Sequence, residues 1–123
     1  MKVLILVVFF SFLCYDIPEL NSKVVEYVDT VIGKKVDRGE CWDLAAAALE
    51  HAGAYLDRSS QQYINVFGKK LNPKKDIIYP GDIIQIENVV MEYVEGNSIH
   101  TETMSHHTAI IYEVLEKGQY KIA

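Results

Sequence analysis

The chain is poor in the residues that staple, span or punctuate. Two cysteines, Cys14 and Cys41, occur in 123 residues, which excludes a multi-disulfide scaffold. Three prolines and seven glycines are too few for a collagen-like or linker-type composition. Basic residues are the minority: 12 Lys and Arg face 17 Asp and Glu, for a net charge of −5. That balance argues against a nucleic-acid backbone as the main partner and leaves room for local basic patches. No apolar run approaches the roughly 20 residues that span a bilayer. Repeats and low-complexity tracts are absent. What remains is half hydrophobic and 24% charged, an ordinary globular balance, and the length suits one domain with one core.

Lys2 precedes a short uncharged apolar run, Val3 to Tyr15. This is the layout of a secretory signal peptide, although Phe12 and Leu13 stand where small residues suit cleavage. The alternative is a buried first element of the domain. Residues 1–15 are therefore expected to be a leader and 16–123 the domain, in a secreted, extracellular or periplasmic setting. Removing the leader takes Lys2 and Cys14 away and strands Cys41 as a single thiol. A lone thiol facing an oxidising medium is either buried or employed.

Residues 17–32 read as a helix, opened by Pro18, with Leu20, Val24, Tyr27, Val28 and Val31 on one face and Gly33 as its stop. A second helix is expected from about Glu40 to Ala52, with Trp42, Ala45, Ala46, Leu49 and Ala52 as its apolar stripe. Asp37 and Glu40 have capping-box spacing at its start. Residues 54–76 are loop-like, with a short apolar piece at 63–67 and four lysines between Lys69 and Lys75 that suit a solvated loop. The pattern then turns to β. Tyr79-Pro80-Gly81-Asp82 is a turn, 83–86 and 89–94 are strand, and 95–98 is a hairpin turn. Strand resumes at 99–103 and 107–114, and Lys117-Gly118 turns the chain into 120–123. Tyr79 and Tyr93 read as turn and strand aromatics. Helices first and strands afterwards indicate an α+β domain, with N-terminal helices packed on a small antiparallel sheet.

Cys41 falls at the start of the second helix. Helix N-termini favour thiolates, and their free N–H groups can serve an oxyanion. Glu40 and Asp43 beside it oppose this, because neighbouring carboxylates disfavour the thiolate. Without a histidine partner, Cys41 would be a small buried hydrophobe. Of four histidines, His51 lies ten residues further on, about 1000° around the helix and well along its axis, so it is a poor partner. His100 lies in the hairpin. His106 and His107 open the strongest strand and point to opposite faces. Ala109, on the His107 face, would let a helix approach closely and favours that face for helix docking.

Gly39-Glu-Cys-Trp-Asp-Leu-Ala45, Pro80-Gly-Asp-Ile-Ile-Gln85 and His107-Thr-Ala-Ile-Ile111 together resemble the three signatures of papain-like cysteine amidases and peptidases of the CHAP and NlpC type. The resemblance covers about residues 35–123. It implies a papain-like cysteine peptidase core in which Cys41 is the nucleophile and His107 the base. The family carries a third polar residue on the strand after the histidine strand, to orient the imidazole. Here Gln119 and Tyr120 fit that position poorly, and the domain is expected to be truncated before it; Gln85 is an alternative within the chain. Trp42, a core residue on the plainer reading, could wall the substrate cleft, and Asp43, a first-turn helix acid, could meet a substrate amine.

The expected function is a secreted thiol hydrolase cleaving an amide in a peptide or peptidoglycan-like substrate, acting as a monomer without cofactor or metal. Zinc would need three or four converging ligands, and no C-x-x-C or H-x-x-x-H spacing occurs. A catalytically inactive papain-fold interaction module is the alternative, and an exported effector acting on host proteins by the same chemistry is a third possibility.

Overall fold

The computed structural model describes residues 16–56 and 68–123. The expected leader and the apolar piece at 63–67 lie outside the described residues. Two helices are followed by a three-stranded antiparallel sheet in the order β1-β2-β3: α1 (Glu19–Val31), α2 (Cys41–His51), β1 (Ile83–Glu95), β2 (Ser98–Glu116) and β3 (Gln119–Ile122). The α+β arrangement expected from the sequence is the observed one.

α1 begins after Pro18, which is its N-cap. Its buried stripe is narrower than the periodicity suggested. Val24 and Val28 are fully enclosed, Tyr27 and Val31 are half-buried and Leu20 is exposed. α2 starts at Cys41 with Glu40 as N-cap and a capping box between Glu40 and Asp43. This corrects the expected box between Asp37 and Glu40, which lies one turn too early. Asp37 and Gly39 take left-handed backbone angles (φ 47° and 85°), so helical geometry cannot begin before Glu40.

The core joins Val24 and Val28 of α1, Ala45, Ala48, Leu49 and Ala52 of α2, and Ile110 of β2, with Ile83 and Tyr112 packed against it. The helices therefore dock on the sheet face that carries Ile110, not on the Ala109 and His107 face that the sequence favoured. The reason is where the small residues lie. The alanines of α2 already give close approach, so the strand can supply a full-sized isoleucine. Ala109 and Ile111 are buried as well, on the other face.

The Pro80-Gly81-Asp82 turn anchors the sheet to α1. Asp82 N–H donates to the Tyr79 carbonyl (3.1 Å), closing the turn. Asn21 Nδ2 donates to the Pro80 carbonyl (3.1 Å) and to Asp82 Oδ1 (2.8 Å). Gly81 N–H donates to the Ile111 carbonyl at 2.7 Å. Gly81 has φ 90°, and a Cβ there would collide with the Asn21 backbone, so this position requires glycine.

β1 and β2 are each one continuous strand where the sequence suggested two pieces apiece. Their register runs from Ile83 opposite Ile110 to Glu95 opposite Ser98. Pairing of β3 with β2 continues past Ile122, where Ala123 and Ile110 exchange both backbone hydrogen bonds (2.9 and 3.0 Å).

Candidate active site

The first turn of α2 is built around Asp43. Its side chain is 1% exposed and accepts from three donors: Glu40 N–H at 3.0 Å, Arg38 N–H at 3.1 Å and Arg38 Nη2 at 3.3 Å. Burial by itself would raise the Asp43 pKa. The Glu40 and Arg38 hydrogen bonds and the guanidinium charge outweigh it and hold the carboxyl below its ordinary value. The Arg38 guanidinium also lies over the Trp42 ring, 5.0 Å from its centroid, a favourable cation–π placement. Loop and helix start are thus cross-tied through Arg38, Glu40, Trp42 and Asp43, the residues that flank Cys41.

Cys41 is a free thiol, half-buried, at the first position of α2. It lines a cavity of about 800 Å³. The lining also includes His107, Thr108 and Tyr112 of β2, Val28 and Val31 of α1, and Ile122 and Ala123 at the end of β3. The loop before α2 contributes Lys34, Lys35 and Arg38. A volume of this size suits a small ligand or a short stretch of peptide.

Of the five residues singled out from the sequence, two line the cavity, Cys41 and His107, with His107 at the strand edge of the cavity and, by alternation, on the sheet face opposite Ile110. The other three do not line the cavity. Asp43 is turned inward and fully engaged. Trp42 is half-buried beneath Arg38. Gln85 lies opposite Thr108 in the sheet and accepts its hydroxyl proton at 2.8 Å. Gln119 is placed opposite Glu116, nine positions along β2 from His107.

The histidines separate by location. His51 ends α2, exposed, with its ring 5.2 Å from that of Tyr27. His100 stacks on Tyr93 at 5.3 Å in the outer hairpin, about 23 Å along an extended strand from His107. His106 shares the helix-facing side with Thr108 and Ile110. Its Nε2, like Gln85 Nε2, is buried without a hydrogen-bond partner. His107 is the histidine on the Cys41 cavity.

Sequence reasoning missed the cationic side of the cavity. Its signal was present as two lysines and an arginine in the eight residues before Cys41. Among the described residues no group of three or more His, Cys, Asp or Glu could hold a metal ion, and no helix is long and apolar enough to cross a membrane.

No curated protein and no solved structure matches the chain. A family model does, over residues 19–123, and its description is the AIM3/BBC1 cysteine proteinase-fold domain. The match takes in both helices, all three strands and the cavity between them. Two helices packed on a small antiparallel sheet match the fold that this description names. The chain belongs to the AIM3/BBC1 cysteine proteinase-fold domain family.

Proposed function

We propose that this domain is a thiol-dependent amide hydrolase, with Cys41 as nucleophile and His107 as general base. The observation that carries the reading is the shared cavity: the one free thiol among the described residues, at a helix N-terminus, and a strand histidine line the same 800 Å³ space. The likeness of the Cys41, Pro80-Gly81-Asp82 and His107 blocks to CHAP and NlpC-type amidases points the same way.

The chemistry follows from these positions. His107 takes the Cys41 proton and Sγ attacks the carbonyl carbon of a peptide amide. The oxyanion is held by backbone N–H at the start of α2, where first-turn donors lack intrahelical acceptors. The tetrahedral intermediate collapses, His107 returns the proton to the departing amine, and a thioester remains. Water, deprotonated by His107, then releases the acid. The substrate on this reading is a peptide or cell-wall-type peptide, handled by an exported monomer whose leader is residues 1–15.

A specific observation favours a second reading, a papain-fold interaction module without turnover. Among the described residues no side chain hydrogen-bonds the His107 ring, so no orienting partner fixes its tautomer. The two readings part on mutation. Hydrolysis of a peptide library, followed by mass spectrometry, should be lost in Cys41→Ala and in His107→Ala and retained in His106→Ala. Full turnover in His107→Ala would sink the base assignment, and loss in His106→Ala alone would transfer it to the neighbouring histidine.

A further inference from the structure

The charge around the cavity runs against the charge of the chain. In a protein of net charge −5, three cations line this one space, Lys34, Lys35 and Arg38, and Glu40 is the sole acid among the described lining residues. We propose that the cavity selects acidic peptides, binding carboxylates within a few residues of the bond presented to Cys41. The site's meaning rests on the hydrolase reading above; the charge selectivity can be measured without it.

The three cations are not equivalent. Arg38 is committed to Asp43 and to the Trp42 face, so its planar fork is not offered for bidentate capture of a phosphate. Lys34 Nζ donates to the Thr30 carbonyl at 2.8 Å, which neutralises no charge and leaves the ammonium exposed at the end of α1. Lys35 makes no hydrogen bond or ion pair with any described residue. Its stem passes over Gly39, where a Cβ would come within 2.9 Å of Lys35 Cε. The missing side chain at position 39 lets the lysine lie across the loop two residues before Cys41. Glu40 is turned onto the first turn of α2 through the capping box, where the helix N-terminus offsets its charge. Two separate point-charge ammonium groups on the loop between α1 and α2 suit separate carboxylates on an extended peptide better than one phosphate.

The experiment uses the full chain and two probes. Fluorescein-labelled Gly-Glu-Glu-Gly-Glu-Glu-Gly and its lysine counterpart are titrated against Cys41→Ala protein by anisotropy, which reads binding without chemistry. The glutamate peptide should bind about tenfold more tightly, an advantage that falls with added salt and is abolished by Lys34→Glu with Lys35→Glu. Equal binding of the two peptides, or preference for lysine, overturns the proposal. In wild type, the rate of Cys41 carboxymethylation by iodoacetate is compared with that by neutral iodoacetamide. In both reactions Sγ bonds to the methylene carbon, iodide leaves and the thiol proton passes to solvent. Relative to the urea-unfolded chain, the iodoacetate-to-iodoacetamide ratio should rise about threefold and fall back in Lys35→Gln, whose fold is checked by circular dichroism. Slow reaction with both reagents at a ratio still raised about threefold would sink the hydrolase reading and support the acidic selectivity. Fast reaction at an unchanged ratio would do the reverse.

Discussion

The inner and outer halves of the β1–β2 hairpin share the same two strands and one unbroken register, yet they live in different environments. The inner half, from Ile83 to Glu87 and from His106 onward, is covered by both helices and by β3. Ile110 at its centre is fully buried. The outer half is almost bare on both faces, with Val94 71% and Ile99 75% exposed. Length explains the division. Helices of 13 and 11 residues span about 20 and 17 Å, whereas strands of 13 and 19 residues extend about 43 and 63 Å. Two short helices cannot roof the whole ribbon. The candidate site belongs to this inner part: Cys41 and His107 line its cavity. Pairing alone can extend a strand, but burial decides where it can hold a site.

The sharpest way to break this comparison is to make the same deletion in both halves. Ile110→Ala should cost about 2–5 kcal/mol, as expected for a fully buried isoleucine. Ile99→Ala should cost under about 1 kcal/mol, a loss of β-propensity with little loss of packing. Urea unfolding of both variants measures the two values. Similar costs would mean that the outer ribbon is buried in the folded protein after all.

A milder test removes one hydroxyl from each half. Tyr112 Oη donates to Asp29 Oδ1 at 2.6 Å and ties α1 to β2. Tyr93 Oη donates to Glu102 Oε1 at 3.0 Å within the hairpin. In each case the carboxylate hydrogen bond, then its charge, raises the phenol pKa. The contribution is therefore present below the ordinary tyrosine value of about 10 and lost as pH rises through the higher folded value. Tyr112→Phe should lower Tm more than Tyr93→Phe, because the first bond ties a helix to the sheet, whereas the second joins two strands already paired along their length. Thermal melts at neutral pH rank them, and a larger drop for Tyr93→Phe would show the hairpin to be more than an appendage.

Much of this was legible in sequence because it is local chemistry. The alanine-rich stretch after Cys41 had to be helix, Pro80-Gly81-Asp82 had to be a turn, and β-branched runs had to be strand. What was not legible depends on choices between near-equivalent patterns. Asp37, Glu40 and Asp43 follow at intervals of three, so two capping boxes fit the spacing; the left-handed angles at Asp37 and Gly39 select the second. His106 and His107, like Ala109 and Ile110, differ by one step of alternation, and the helix side is settled only when the alanines of α2 meet Ile110. In the outer ribbon, Val89, Val90 and Met91 are apolar on both faces, and periodicity cannot tell a strand buried twice from one exposed twice. Lys34, Lys35 and Arg38 become part of a candidate site only when folding sets them around the cavity that His107 also lines.

The smallest expected effect probes how the inner half holds Cys41 in place. Asp43 keeps its carboxyl below the ordinary value through Glu40, Arg38 and the guanidinium. Folding therefore favours the ionised form. That stabilisation is complete above the unfolded value of about 3.9 and is lost as pH falls through the lower folded one. Asp43→Asn keeps the shape and removes the charge, so it should melt below wild type at neutral pH. The gap in Tm should hold down to about pH 5 and close toward about pH 2, as the wild-type carboxyl is protonated. Loss of the gap should be accompanied by faster urea-independent exchange of the Cys41 and Trp42 amides, because the same carboxylate fixes the first turn of α2. The outer hairpin, which makes no contact with Asp43, should show no matching change. If amides of both halves loosen together, the helix start and the ribbon unfold as one unit, and the division drawn from burial is structural but not energetic.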